Sequence, residues 1–187
     1  MSRAAPSGPW ATLSAARRWA ARVGRRAASG AACAAALASF AATQARTLEV
    51  CQSCEHATVT SALAAAADGD TVLVRSGTYR EGALTIEKSI VLEGDGWPVL
   101  DGELKYPIIT VMADGVTVRG LVLRDAGRSQ VRDLAAIRVG AVSDCVIENN
   151  RIENAYFGIY FAKSIGCAAR GNSVTGLSVS EALSGNA

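Results

Sequence analysis

Four stretches of this chain align without a gap. They are "SIVLEGDGWPVL" from Ser89, "GVTVRGLVLRDA" from Gly115, "DCVIENNRIENA" from Asp144 and "GCAARGNSVTGL" from Gly166. Their starts lie 26, 29 and 22 residues apart, far too close for separate domains. Ile90, Val116, Cys145 and Cys167 form one column. Leu92, Val118, Ile147 and Ala169 form a second, two residues on, which is the spacing of one face of a strand. Gly94, Gly120, Asn149 and Gly171 fill a turn column with residue types that tolerate positive φ. Leu123, Ile152 and Val174 follow that turn in the last three, and "IITV", "AAIRV" and "GIYF" precede those three as a further strand. One such unit cannot bury its apolar row alone, so units stack with like residue over like. The pattern predicts an all-β chain folded as a right-handed parallel β-helix. Leucine-rich repeats fit less well, because the leucine spacing and the Asn position differ.

Stacking also predicts what the special columns do. Asn150 over Asn172 should form a short ladder of side-chain amides at a turn. Cys145 over Cys167 should be two small apolar residues packed in one interior row. Rungs about 4.8 Å apart also put that pair within disulfide range, but packing is the expected arrangement.

Upstream the periodicity changes. Val59, Ala62, Leu63 and Ala66 recur at spacings of three and four, one face of a helix. Thr58 or Thr60 would cap its start and Gly69 end it. The helix is expected to cover the first coil and so protect a sheet edge. Residues 46–70 are thus read as an entry segment with a capping helix, and 71–187 as β-helix coils. The chain stops at "GLSVSEALSGNA" with no closing element, which predicts a truncated member of a longer solenoid.

The first 45 residues read differently. They hold six arginines and no acid, then an Ala-rich stretch ending in Thr43-Gln44-Ala45. A basic start, an apolar middle and a small-residue cleavage site make a secretory signal peptide. Without it, no membrane span is expected. The remaining chain holds 13 of the 19 basic residues and all 17 acids, a net charge of −4. That gives no electrostatic case for nucleic acid binding.

The stretches "DGDTVLVRSGTYREGALTIEKSIVLEGDG", "PVLDGE", "DGVTVRGLVLRDAGRS", "AAIRV", "IENNRIENAYFGIYFAKS" and "CAARGN" resemble the NosD family of nitrous oxide reductase maturation proteins. The resemblance runs from about Cys51 to Gly176. It implies a periplasmic accessory role without catalysis, with an ABC-type transporter and nitrous oxide reductase as partners. The role is assembly of a copper–sulfur centre, and whether copper or sulfur is handled stays open. The rival reading is a carbohydrate-binding or carbohydrate-cleaving β-helix protein, since one fold hosts many functions. Against it, Asp95, Asp101, Asp125 and Asp133 are scattered over different coils, whereas sugar hydrolysis needs paired carboxylates.

Cys51 and Cys54 form a C-x-x-C pair, with His56 two residues on. Thiolates and imidazole suit Cu(I), so these three are the candidate copper ligands; the alternative is a local disulfide. Strand alternation turns Tyr160 outward and Ile159 and Phe161 inward. Tyr160, Arg119, Arg138, Arg151 and Arg170 together make a candidate partner surface, because Arg and Tyr are favoured at interfaces.

Overall fold

Alternating apolar residues fold here into short strands, and their registers bear out the alignment. The computed structural model describes residues 44–128 and 134–176, all within the unit 42–187. The expected signal peptide lies outside the described residues but for Gln44 and Ala45. Strands pair in parallel throughout.

Five coils stack, and each of the first four gives one strand to each of three sheets. Coil one holds β2 (Thr71–Arg75), β3 (Thr78–Tyr79) and β4 (Leu84–Ile86). Coil two holds β5 (Val91–Asp95), β6 (Val99–Asp101) and β7 (Ile109–Val111). Coil three holds β8 (Thr117–Arg119), β9 (Val122–Arg124) and β10 (Ala135–Val139), and coil four β11 (Val146–Glu148), β12 (Arg151–Ala155) and β13 (Phe157–Phe161). Coil five contributes β14 (Ala168–Arg170) and β15 (Ser173–Gly176). Sheet one runs β1-β2-β5-β8-β11-β14, where β1 is Thr47–Val50; sheet two is β3-β6-β9-β12-β15 and sheet three β4-β7-β10-β13.

The predicted interior columns are the core in coils two to four, whereas in coil five Ala169 and Val174 are exposed. Leu92, Val118, Ile147 and Ala169 lie in register on sheet one, and Leu123, Ile152 and Val174 on sheet two. Sheet three adds Ile109, Ile137 and Ile159. Side chains in the middle coils, such as Leu92, Leu123, Ile137 and Ile147, are fully buried. Phe161 keeps its inward register over Val139, yet is 37% exposed.

Two sequence expectations need correction. "RTLEV" is more than an entry segment: Leu48 and Val50 alternate inward, and β1 pairs with β2 as the first rung of sheet one. In the turn column, Gly120, Asn149 and Gly171 have positive φ, but Gly94 does not; there a Cβ would collide with the Gly120 carbonyl.

The capping helix α1 spans Val59–Ala65, with Thr58 as its N-cap accepting from the Ser61 N–H. Seven residues are too few for a helix to persist alone. Coil one grips it at both ends. Glu81 accepts from the N–H groups of Val59 and Thr60 at 2.7 and 2.8 Å. Lys88 Nζ donates to the carbonyls of Leu63, Ala64 and Ala66. These contacts satisfy helix-end groups that would otherwise lack partners and seat Val59 and Ala62 in the core.

Candidate functional site

The C-x-x-C pair lies in the turn after β1. Cys51 and Cys54 are joined as a disulfide, Cα–Cα 5.0 Å. The Cys51 N–H donates to the His56 carbonyl at 3.1 Å, so His56 is fixed through its backbone. His56 and Cys54 line a shallow hollow of about 530 Å³ with Arg46, Glu49 and Glu55. The residues as folded do not fit copper. Both sulfurs are spent in the cystine, and thiolate is the donor the metal needs. Among the described residues no group of three or more His, Cys, Asp or Glu side chains is arranged to hold a metal.

The ladder residues are brought together. Asn150 is buried. Its Oδ1 accepts from the Leu121 N–H at 3.1 Å, and its Nδ2 donates to the Val118 carbonyl at 3.0 Å and to Asn172 Oδ1 at 3.1 Å. Asn172 repeats the pattern one coil on, donating to the Ile147 carbonyl at 2.8 Å. Cys145 and Cys167 also stack, but as a disulfide with Cα–Cα 4.4 Å, not as the packed thiols expected. Parallel register sets the two Cα atoms within bridging range.

The arginine surface divides. On sheet one, Glu93, Arg119, Glu148 and Arg170 share one outward column. Arg119 pairs with Glu93 at 2.8 Å and Glu148 at 3.9 Å, and Arg170 with Glu148 at 3.8 Å. Arg75 closes the upper part of that face by pairing with Glu49 and Asp95. Arg151 stacks on Trp97, 3.8 Å from the ring centroid, a favourable cation–π contact. These arginines are spent within the fold.

Sheet two gathers acids that look scattered in sequence. Arg80, Asp101, Arg124 and Glu153 occupy consecutive rungs. Asp101 pairs with Arg80 at 3.3 Å and Arg124 at 3.1 Å, and Arg124 also reaches Asp125 at 3.4 Å. Asp101 and Asp125 thus share one arginine, which corrects the expectation of isolated acids. Burial alone would raise the Asp101 pKa. The Glu103 N–H, Arg124 and Arg80 outweigh it and hold the carboxyl below its ordinary range. Sequence reading also missed Asp70. It sits one rung above Ile90 in an apolar column and is fully covered. Hydrogen bonds from the backbone N–H groups of Arg46 and Ala67, then from the Arg46 guanidinium, lower its pKa to about 2.

Among the described residues sheet three carries no such pairing. Arg138 stacks directly over Tyr160 in register, beside Thr110. Met112, Arg138, Gly140, Tyr160, Phe161 and Lys163 line a groove of about 360 Å³. Phe157 lies 6.4 Å from Tyr160 and makes an edge contact with Tyr156.

No family model matches the chain. It is 32% identical over 111 residues to the probable ABC transporter binding protein NosD of Pseudomonas aeruginosa. The match covers 59% of this chain and 26% of that protein, so the chain spans about a quarter of the relative's length. A solved structure, the pectin methylesterase of Aspergillus niger in deglycosylated form, is similar with a TM-score of 0.33 and 15% identity. That likeness covers 73% of this chain and 62% of the other. No helix among the described residues is long and apolar enough to cross a membrane.

Proposed function

We propose that this chain is a periplasmic, non-enzymatic β-helix accessory protein. In this reading it works with an ABC-type transporter in assembling the copper–sulfur centre of nitrous oxide reductase. The observation that carries the reading is the 32% identity over 111 residues to NosD. The side chains favour docking over turnover. Asp101, the most buried of the grouped acids on sheet two, is held charged between two arginines, the opposite of the raised pKa a general acid needs. Copper or sulfur is then cargo of the whole assembly, and the Cys51–Cys54 cystine is not its carrier. Deleting the gene in its own host should leave the reductase polypeptide exported but short of catalytic copper, with nitrous oxide accumulating. Normal copper loading would overturn the reading.

The second reading, a carbohydrate-active β-helix, draws support from one grouping, Asp101–Arg124–Asp125 on the outer face of sheet two. Release of methanol or uronate from pectin by the purified chain, abolished in Asp125→Asn, would favour it.

A further inference from the structure

Among the described residues, ten of the twelve Lys and Arg side chains have a partner. Arg46, Arg75, Arg80, Lys105, Arg119, Arg124 and Arg170 sit in ion pairs. Lys88 caps α1, Arg128 bonds Asn154 and Arg151 stacks on Trp97. The two without such a partner, Arg138 and Lys163, line the same groove. Among the described residues, Glu87, just past β4 in coil one, continues the Met112 and Gly140 column of that face rather than that of Arg138. It lies two rungs above Gly140, about 10 Å away at the usual strand spacing, and Arg138 is two residues further along the strand.

We infer that the outer face of sheet three is a docking surface for an acidic segment of a protein partner, received between Arg138 and Lys163 and against Tyr160. Unbalanced positive charge on residues 46–187, which together carry a net charge of −4, recognises carboxylates and steers their approach. The neighbours are those of a protein interface. Met112 is 51% exposed, and Arg, Tyr and Met are the residue types enriched at such contacts. The groove is an open trough rather than a cleft that would enclose most of a small ligand. The choice of a protein as occupant rests on the accessory reading above.

The test is binding of a fluorescent poly-L-glutamate 20-mer and of polygalacturonate to the full chain at low salt. Wild type is set beside Arg138→Glu/Lys163→Glu and beside a charge-matched control on other surfaces, Lys105→Glu/Arg128→Glu. The expected result is peptide binding that falls at least tenfold in the groove variant, holds in the control and weakens in Tyr160→Ala. Equal loss in groove variant and control would overturn the proposal, as would no peptide binding by wild type. Polygalacturonate bound more tightly, with the same dependence on Arg138 and Lys163, would overturn it by making the groove a polysaccharide site. A chain that binds peptide through Arg138 while gene deletion leaves the reductase loaded would sink the accessory reading alone. The reverse pair of outcomes would sink only the docking face.

Discussion

Sheets one and three are wound from the same coils, and their inner faces follow the same rule. In the middle coils, Val118 and Ile147 lie buried on one, Ile109 and Ile137 on the other. Their outer faces differ. Glu93, Arg119, Glu148 and Arg170 alternate in sign down sheet one, so each rung neutralises the next. Sheet three offers Thr85, Thr110, Arg138 and Tyr160 at the matching outward positions, with a cation that nothing on its own column answers. A solenoid has no need to treat its faces unequally for stability, since exposed ion pairs contribute little. The difference leaves sheet one neutralised within itself and sheet three, among the described residues, with a cation that has no ion-pair partner.

The comparison breaks most readily from the inside. Ile137→Ala beneath sheet three and Ile147→Ala beneath sheet one should each lose about 2–5 kcal/mol in denaturant unfolding. Similar losses would confine the asymmetry to the surface; a cheap Ile137→Ala would mean that sheet three is loosely packed throughout. Next comes Asn150→Ala, at the corner between sheets one and two. It strands the Leu121 N–H and the Val118 carbonyl, and about 1–3 kcal/mol should be lost.

Acid sharpens the picture of the covered end. Asp70 has a folded pKa of about 2 against an ordinary 3.8. The depressed value means a stabilising contribution complete above 3.8 and lost as pH falls through about 2. Asp70→Asn should therefore be less stable at neutral pH and flatter across that interval in acid titrations followed by circular dichroism. The smallest effects are on the outer faces themselves. Arg119→Met should cost under about 1 kcal/mol, less in high salt. Arg138→Met should stay within about 0.5 kcal/mol of wild type, because it breaks no ion pair. A large loss at Arg138, measured by the same unfolding curves, would mean that sheet three's charge serves the fold.

What could be read from the sequence was whatever repeats at fixed offsets. The columns through Leu92 and Leu123, the Asn150–Asn172 pair and the helix after Thr58 all have local or periodic signals. Contacts that depend on the length of a corner were hidden. Asp101 and Asp125 are 24 residues apart and meet on Arg124 only because one coil happens to be that long. Asp70 looks like part of an ordinary "DGD" turn; its burial follows from the register that sets Thr71 beside both Thr47 and Val91. The strand β1 was missed for want of length, with only Leu48 and Val50 to mark its alternation. The arginines were legible as outward but not as engaged, since pairing needs the neighbouring rung. Arg138 differs from Arg119 only in what lies above and below it.

The Cys145–Cys167 bridge has a mechanical consequence. A stacked solenoid can come apart like a spring pulled from one end, each turn peeling from the next, because a coil touches only its neighbours. Here the two cysteines, 22 residues apart, lie one full turn from each other, so the bond converts that turn into a closed hoop. Peeling that arrives through β15 can run back to the hoop and there must stop, while reduction would let it continue towards coil three. By loop-closure entropy such a hoop is worth roughly 3 kcal/mol. It therefore acts as a ratchet pawl, one that holds in an oxidising compartment and releases in a reducing one.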